Sequence, residues 1–155
     1  MKIILDNFIL IKLDRTNDTH IDFIKKIDND SDIKKYLYPY NATFDDFIDS
    51  RVAGFDIFNN FYIVYYENRI IGYIEIENYK NVFINCALLK NERNKGFGSK
   101  ILSELTSYIL SNYPNVLSVN TIIRNENQAS IHATMKSGFE FIENKDGFST
   151  YGKKR

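Results

Sequence analysis

The feature that most restricts this chain is a change of hydrophobic period within one short stretch. Val82–Leu89 reads as a strand, and Gly98–Asn112 places Ile101, Leu102, Leu105, Tyr108 and Ile109 on one helical face. Between them, Leu88-Leu89-Lys90-Asn91-Glu92-Arg93-Asn94-Lys95-Gly96-Phe97-Gly98-Ser99 passes directly from one to the other. Gly96 can take φ > 0, and Gly98 lets a ligand approach the main chain without meeting a Cβ. The first amides of the helix lack carbonyl partners and lie at the positive end of its dipole. With Lys95 and Lys100 beside it, the bend predicts an anion site, and a diphosphate is its natural guest.

The rest of the chain predicts a sheet around that bend. The N-terminal MKIILDNFILIKLDR, with Phe8–Leu13 alternating, reads as the first strand. Asp6 and Lys12 interrupt its apolar stretches and no small-residue cleavage site follows, which argues against a signal peptide. Ile21, Ile24, Ile27, Ile33 and Leu37 give Thr19–Leu37 a helical spacing with a break at Asp28–Asp32. Thr43 ahead of Asp45 and Asp46 starts a further helix, with Phe44, Phe47 and Ile48 on one face. Phe61–Tyr66 and Ile70–Glu77 are strands around Glu67-Asn68-Arg69. Pro114 closes the long helix, Val116–Ile123 is a strand, and Asn127–Ser137 is a helix stopped by Gly138. Phe139–Glu143 and Phe148–Gly152 pair around Lys145-Asp146-Gly147. The order β-α-α-β-β-β-α-β-α-β-β predicts an α/β (α+β) fold, a mixed sheet with helices on both faces, in one domain over residues 1–155.

Composition narrows the function classes. A chain of 155 residues supplies one core, and 44% apolar with 26% charged residues excludes wholesale disorder. Lys+Arg 20 balance Asp+Glu 20, which argues against nucleic acid as the main partner. No apolar run approaches the roughly 18 residues that span a bilayer, so no membrane is expected and the cytoplasm is the expected location. Cys86 stands alone and cannot form an internal disulfide; His20 and His132 show no metal-ligand spacing. Asp28-Asn29-Asp30-Ser31-Asp32 opens like an EF-hand but continues with Ile33 and Pro39 where glycine and glutamate are required. No metal is expected. Residues 1–56 carry 8 Lys/Arg against 11 Asp/Glu, and residues 90–155 carry 10 against 6. That asymmetry suits an anionic ligand on the C-terminal half and a cationic one on the N-terminal half.

A P-loop needs G-x-x-x-x-G-K-[ST], which is absent, and a dinucleotide G-x-G-x-x-G would need glycine where Ile101 stands. What remains, Arg93-x-x-Gly96-x-Gly98, resembles the acetyl-CoA loop of the GNAT superfamily of N-acetyltransferases. One strand later, Asn127-Gln128-Ala129-Ser130 through Lys136-Ser137-Gly138-Phe139 is similar to that superfamily's N-x-x-[SA]-…-K-x-G-F segment. The resemblance covers most of residues 61–143 and implies a GNAT-like, mostly antiparallel central sheet. It also implies acetyl-CoA as acyl donor, contacting Arg93, Asn94, Lys95, Gly96, Phe97, Gly98, Ser99, Asn127 and Ser130. Asn125 with Gln128 also makes a plausible capping box, a structural role for that segment.

The resemblance further implies that the strand matching Val82–Leu89 parts from the one matching Val116–Ile123. Pantetheine would lie between them, pairing with main-chain groups around Cys86, Ala87, Leu88 and Leu89. The Cys86 amide would serve as oxyanion donor, an effect worth about 3 kcal/mol. The Cys86 thiol itself reads as inert packing. Two positions depart from the family. Val82 stands where some members carry glutamate, so a base must come from elsewhere. Glu75 shares a strand face with Glu77, and that face either lines the cleft, where Glu75 could draw a proton through water, or meets solvent. Thr134 stands where many members carry tyrosine; its hydroxyl can hydrogen-bond sulfur but is a far weaker acid. Tyr151 or water could serve instead. Asp30, Asp32, Tyr36, Tyr38 and Tyr40 are candidates for holding a cationic amine. The implied activity is transfer of an acetyl group to a primary amine (a protein N-terminus, a lysine or a small molecule) by direct attack. The alternative is a catalytically impaired acyl-CoA-binding or regulatory module.

Overall fold

A computed structural model describes residues 1–36 and 56–155. Strands β1 (Lys2–Ile4), β2 (Ile9–Lys12), β3 (Asn60–Tyr66), β4 (Arg69–Glu77), β5 (Asn81–Leu88), β6 (Ser118–Arg124), β7 (Glu140–Lys145) and β8 (Phe148–Lys154) form one sheet. Its order is β1-β2-β3-β4-β5-β6-β8-β7. Helices α1 (Asp18–Asp28), α2 (Ser31–Tyr36), α3 (Phe97–Asn112) and α4 (Gln128–Lys136) fall where the spacing predicts them. The helix expected from Thr43 lies outside the described residues. Every neighbouring pair is antiparallel except β5 and β6.

One expectation changes. The single N-terminal strand is a hairpin, β1 and β2, turning at Asp6-Asn7 with the Leu5 amide donating to the Phe8 carbonyl at 2.9 Å. The reason is parity: Ile3, Leu5, Phe8 and Leu10 are all buried, and an unbroken strand would send Leu5 and Phe8 to opposite faces. The Asn7 main chain and side chain then donate to the Glu104 carboxylate, fastening the turn to α3.

Two cores lie on the two faces of the sheet. On one, Tyr62, Val64, Ile74, Ile76, Val82 and Ile84 pack with Ile101, Leu102, Leu105 and Ile109 of α3. On the other, Phe61, Ile63 and Tyr73 pack with Phe23, Ile24 and Ile27 of α1 and Ile33 of α2. Each such side chain contributes about 1.5–3 kcal/mol on burial. Asn17 caps α1, its carboxamide oxygen accepting from the amides of Thr19 at 3.0 Å and His20 at 3.3 Å. The β7–β8 turn has Asp146 at φ 53° and Gly147 at φ 83°, the Asp-Gly hairpin geometry that matches strand twist. No helix among the described residues is long and apolar enough to cross a membrane.

What positions the site is the junction of β5 and β6. They pair through three residues only, Asn81↔Ser118, Val82↔Val119 and Phe83↔Asn120. Beyond that point β5 follows β4, in register from Ile84↔Ile76 to Leu88↔Gly72, while β6 follows β8. The sheet therefore forks. Gly72 permits the close approach of β4 to β5, since a Cβ there would stand 2.2 Å from the Ala87 carbonyl oxygen.

Candidate active site

Past the end of β5, the chain makes a 3₁₀ turn (Lys90–Glu92) and then two left-handed residues, Asn94 at φ 63° and Gly96 at φ 81°. Gly96 occupies the N-cap of α3, where no side chain caps the helix and no acid lies in its first turn. The amides of Phe97, Gly98 and Ser99 thus open the helix without an acceptor among the described residues, at the positive end of its dipole. Phe97 fixes the helix start by packing its ring against Phe8 (centroids 5.9 Å) and Tyr66 (4.7 Å).

Gly98 is informative because nothing among the described residues requires it. Its φ is ordinary, and an added Cβ would have no neighbour nearer than 3.9 Å, ordinary contact with Ala133 and Leu88. A glycine in a helix costs about 1 kcal/mol relative to alanine. The space over its backbone is unfilled among the described residues.

The charged side chains of the loop are held in place by other parts of the fold. Glu92, nearly buried, takes a bidentate pair of hydrogen bonds from Arg69 (Nε 2.9 Å, Nη2 3.2 Å) and a third from Lys95 Nζ at 3.2 Å. The Arg69 hydrogen bonds hold its carboxyl below the usual glutamate range, and Lys95 adds to the effect. Arg93 is turned away from the helix start. Its Nε donates to the Leu88 carbonyl at 3.0 Å, and its terminal nitrogens reach Asp32 at 3.3 Å and Asp30 at 3.4 Å. The guanidinium expected on the cofactor is committed to protein acceptors, and so are the carboxylates expected on a cationic amine. Tyr36 ends α2, and Tyr38 and Tyr40 lie outside the described residues.

The fork has a defined main-chain polarity. The Val82 carbonyl accepts from Asn120 Nδ2 at 3.2 Å and the Leu88 carbonyl from Arg93, so both point away from β4. A strand repeats every two residues, so Ile84 and Cys86 turn their N–H and C=O groups the same way, into the fork. Ala87 and Leu89 have the other parity: the Leu89 amide donates to the Ile71 carbonyl at 2.8 Å. Of the main-chain groups expected to meet pantetheine, those of Cys86 and the Leu88 amide face the fork, and those of Ala87 and Leu89 face β4. The Cys86 side chain packs against the α3 core, and burial pushes its thiol up to about 12.

Glu75 lies on the opposite face from Cys86, almost fully buried, and accepts from Asn85 Nδ2 at 3.3 Å; Glu77 on the same face is exposed. Thr134 is 1% exposed, and its hydroxyl has no hydrogen-bond partner among the described residues. Tyr151 is buried with Phe141 against its ring. Val82 is wholly within the α3 core. Asn127 serves as the N-cap of α4, its Oδ1 accepting from the Ser130 amide at 3.3 Å, while Gln128 Nε2 donates to the Asn125 carbonyl at 2.6 Å. The cap is thus Asn127 and not the Asn125 of the expected capping box, and Asn127 and Ser130 are both half-buried at the helix start. Sequence reading passed over Asn85 and Glu92; each acts through a residue ten or more positions away, which no local pattern records. Among the described residues, no group of three or more His, Cys, Asp or Glu could hold a metal ion.

A forked mixed sheet with an uncapped glycine bend at its mouth is the architecture of a GNAT-type acyltransferase. Residues 9–140 match the family described as "Acetyltransferase (GNAT) domain", and the chain belongs to that family of acetyl-CoA-dependent acetyltransferases. Among curated proteins, none matches in sequence. Solved structures agree in fold. A GNAT-family acetyltransferase from Bacillus anthracis superposes with TM-score 0.76 at 16% identity, covering 99% of this chain and 98% of that one. RimL, a ribosomal L7/L12 alpha-N-protein acetyltransferase in complex with coenzyme A, gives 0.75 at 16%, covering 99% and 98%. The Microcin C7 self immunity acetyltransferase MccE, in complex with acetyl-CoA and AMP, gives 0.73 at 16%, covering 97% and 93%.

Proposed function

We propose that this chain moves an acetyl group from acetyl-CoA to a primary amine by direct attack. The observation that carries the reading is Gly98, a helix-start glycine whose own fold leaves room for a side chain. The diphosphate would lie on the amides of Phe97, Gly98 and Ser99, with Asn94, Lys95 and Gly96 around it. Pantetheine would enter the fork along Ile84, Cys86 and Leu88, and Asn127 and Ser130 would border it from α4.

The chemistry then follows from the groups in the fork and those beside it. The amine nitrogen bonds to the thioester carbon, and the Cys86 N–H receives the oxyanion that forms. The C–S bond breaks as the carbonyl returns, and the thiolate takes the proton that the nitrogen of the adduct sheds in becoming an amide. A preorganised amide of this kind strengthens as charge develops, worth about 3 kcal/mol. Glu75, held by Asn85, would take the ammonium proton through water. Thr134 would donate its unclaimed hydroxyl to the sulfur. Positioning an activated thioester beside an amine supplies much of the remaining acceleration. Val82, an aliphatic core residue, favours a second reading, acyl-CoA binding without turnover.

Calorimetry with acetyl-CoA, CoA and ATP, followed by thiol release over a panel of amines, tests both. Acetyl-CoA binding with turnover on at least one amine supports the first. Binding without turnover across the panel supports the second, and ATP binding with indifference to CoA removes both.

A further inference from the structure

Arg93 connects parts of the molecule that the sheet separates. It precedes α3, which packs on one face, while Asp30 and Asp32 belong to the α1–α2 junction, which packs on the other. The Asp30 carboxylate is divided: Oδ1 accepts from the amides of Asp32 at 2.9 Å and Ile33 at 3.1 Å, and Oδ2 faces Arg93. The side chains of Arg93 and Asp30 are 29% and 19% exposed, so this pair is largely shielded; Asp32, at 56%, is screened by water. The same guanidinium holds the Leu88 carbonyl at the open end of β5.

We propose that Arg93 is a strut for the donor loop and not a phosphate ligand, with Asp30 and Asp32 as its positioning residues on the far face. The inference rests on the reading that this loop receives acetyl-CoA. A loop fixed before binding has less conformational freedom to lose when the ligand arrives. Removing the strut leaves the loop's amides in place chemically but unordered, so the loss falls on acetyl-CoA affinity. For a partly shielded charged pair the weakening is roughly two- to five-fold.

The test is a mutant cycle: Arg93→Ala, the pair Asp30→Asn with Asp32→Asn, and all three together. Asparagine retains the cap at position 30 while removing its charge. Calorimetry with acetyl-CoA should show similar weakening in the Arg93 and Asp variants and no further loss in the combination. KM for acetyl-CoA should rise with kcat at saturation unchanged. Arg93→Lys should not rescue, because one ammonium cannot span the carbonyl and both carboxylates. Asp variants that bind acetyl-CoA as well as or better than the parent, beside a weakened Arg93→Ala, would show a direct phosphate contact and overturn the strut. Hydrogen exchange at the Phe97, Gly98 and Ser99 amides without ligand gives an independent arm. It should quicken in both variants, and unchanged exchange refutes the proposal even if the protein binds no CoA at all.

Discussion

Replacing Gly98 by aspartate should separate folding from binding in opposite directions. The new Cβ meets only ordinary contacts at 3.9 Å, so the unliganded fold accommodates it. Removing a helical glycine and placing a carboxylate in the first turn stabilises α3 by about 0.5–1 kcal/mol in total. For a domain of this size, melting should rise by roughly 1–4 °C. Binding moves the other way. A carboxylate about 5 Å from one phosphate charge repels it by about 3 kcal/mol at an effective dielectric constant near 20. Partial exposure of the site roughly halves that figure to about 1.5 kcal/mol, a loss of about ten-fold in affinity. Gly98→Ala should fall between, since its methyl occupies the space over the backbone without charge. Calorimetry with acetyl-CoA and thermal melts on the same samples provide the assay. A folded Gly98→Asp protein whose acetyl-CoA affinity lies within two-fold of the parent would refute the diphosphate assignment of the loop.

Other residues give sharper single tests. Glu75→Gln should lower kcat several-fold while KM for acetyl-CoA holds; an unchanged kcat would exclude it as base. Thr134→Val deletes a buried hydroxyl without a partner among the described residues, so stability should hold or rise by about 1 kcal/mol. Its kcat should fall several-fold, and equal kcat would take Thr134 out of the reaction. Cys86→Ala should retain activity, and native protein should react slowly with thiol reagents at pH 8, because desolvation pushes the half-buried thiol up from its ordinary value. His20 is 1% exposed, its Nδ1 accepts from the Asp14 amide at 3.1 Å, and burial pushes its pKa below the ordinary 6.5. The unfolded chain therefore binds the proton first, so stability is complete above about pH 6.5 and declines as pH falls toward the folded value. Urea melts from pH 7.5 to 5 should show this slope, and His20→Asn should flatten it.

The parts legible in the sequence are those whose cause is local. Gly96, Gly98 and the apolar stripe from Ile101 to Ile109 sit within one strand-to-helix passage, and backbone freedom and helical period suffice to interpret them. Asp146-Gly147 reads directly because two left-handed residues must close that hairpin. The β1–β2 turn was also written locally, in the switch of buried positions from odd (Ile3, Leu5) to even (Phe8, Leu10), but Asp6-Asn7 lacks the glycine that usually marks such turns. The side-chain commitments were not legible. Arg93 meets Asp30 across 63 positions and Glu92 meets Arg69 across 23, and a charge in a sequence does not say which partner will claim it. Glu75 could not be assigned to cleft or solvent because alternation gives parity, and only packing against the α1–α2 layer tells which parity is covered.

The short parallel seam between β5 and β6 bears on how the reaction would end. If pantetheine completes the sheet between the diverging strands, it does so equally before and after the acetyl group departs. The spent carrier would keep nearly every rung that the loaded one has, and lose only the few atoms at its tip. Free CoA should then compete with acetyl-CoA at comparable concentration, and turnover would be governed by how readily the two halves of the sheet let the used thiol go.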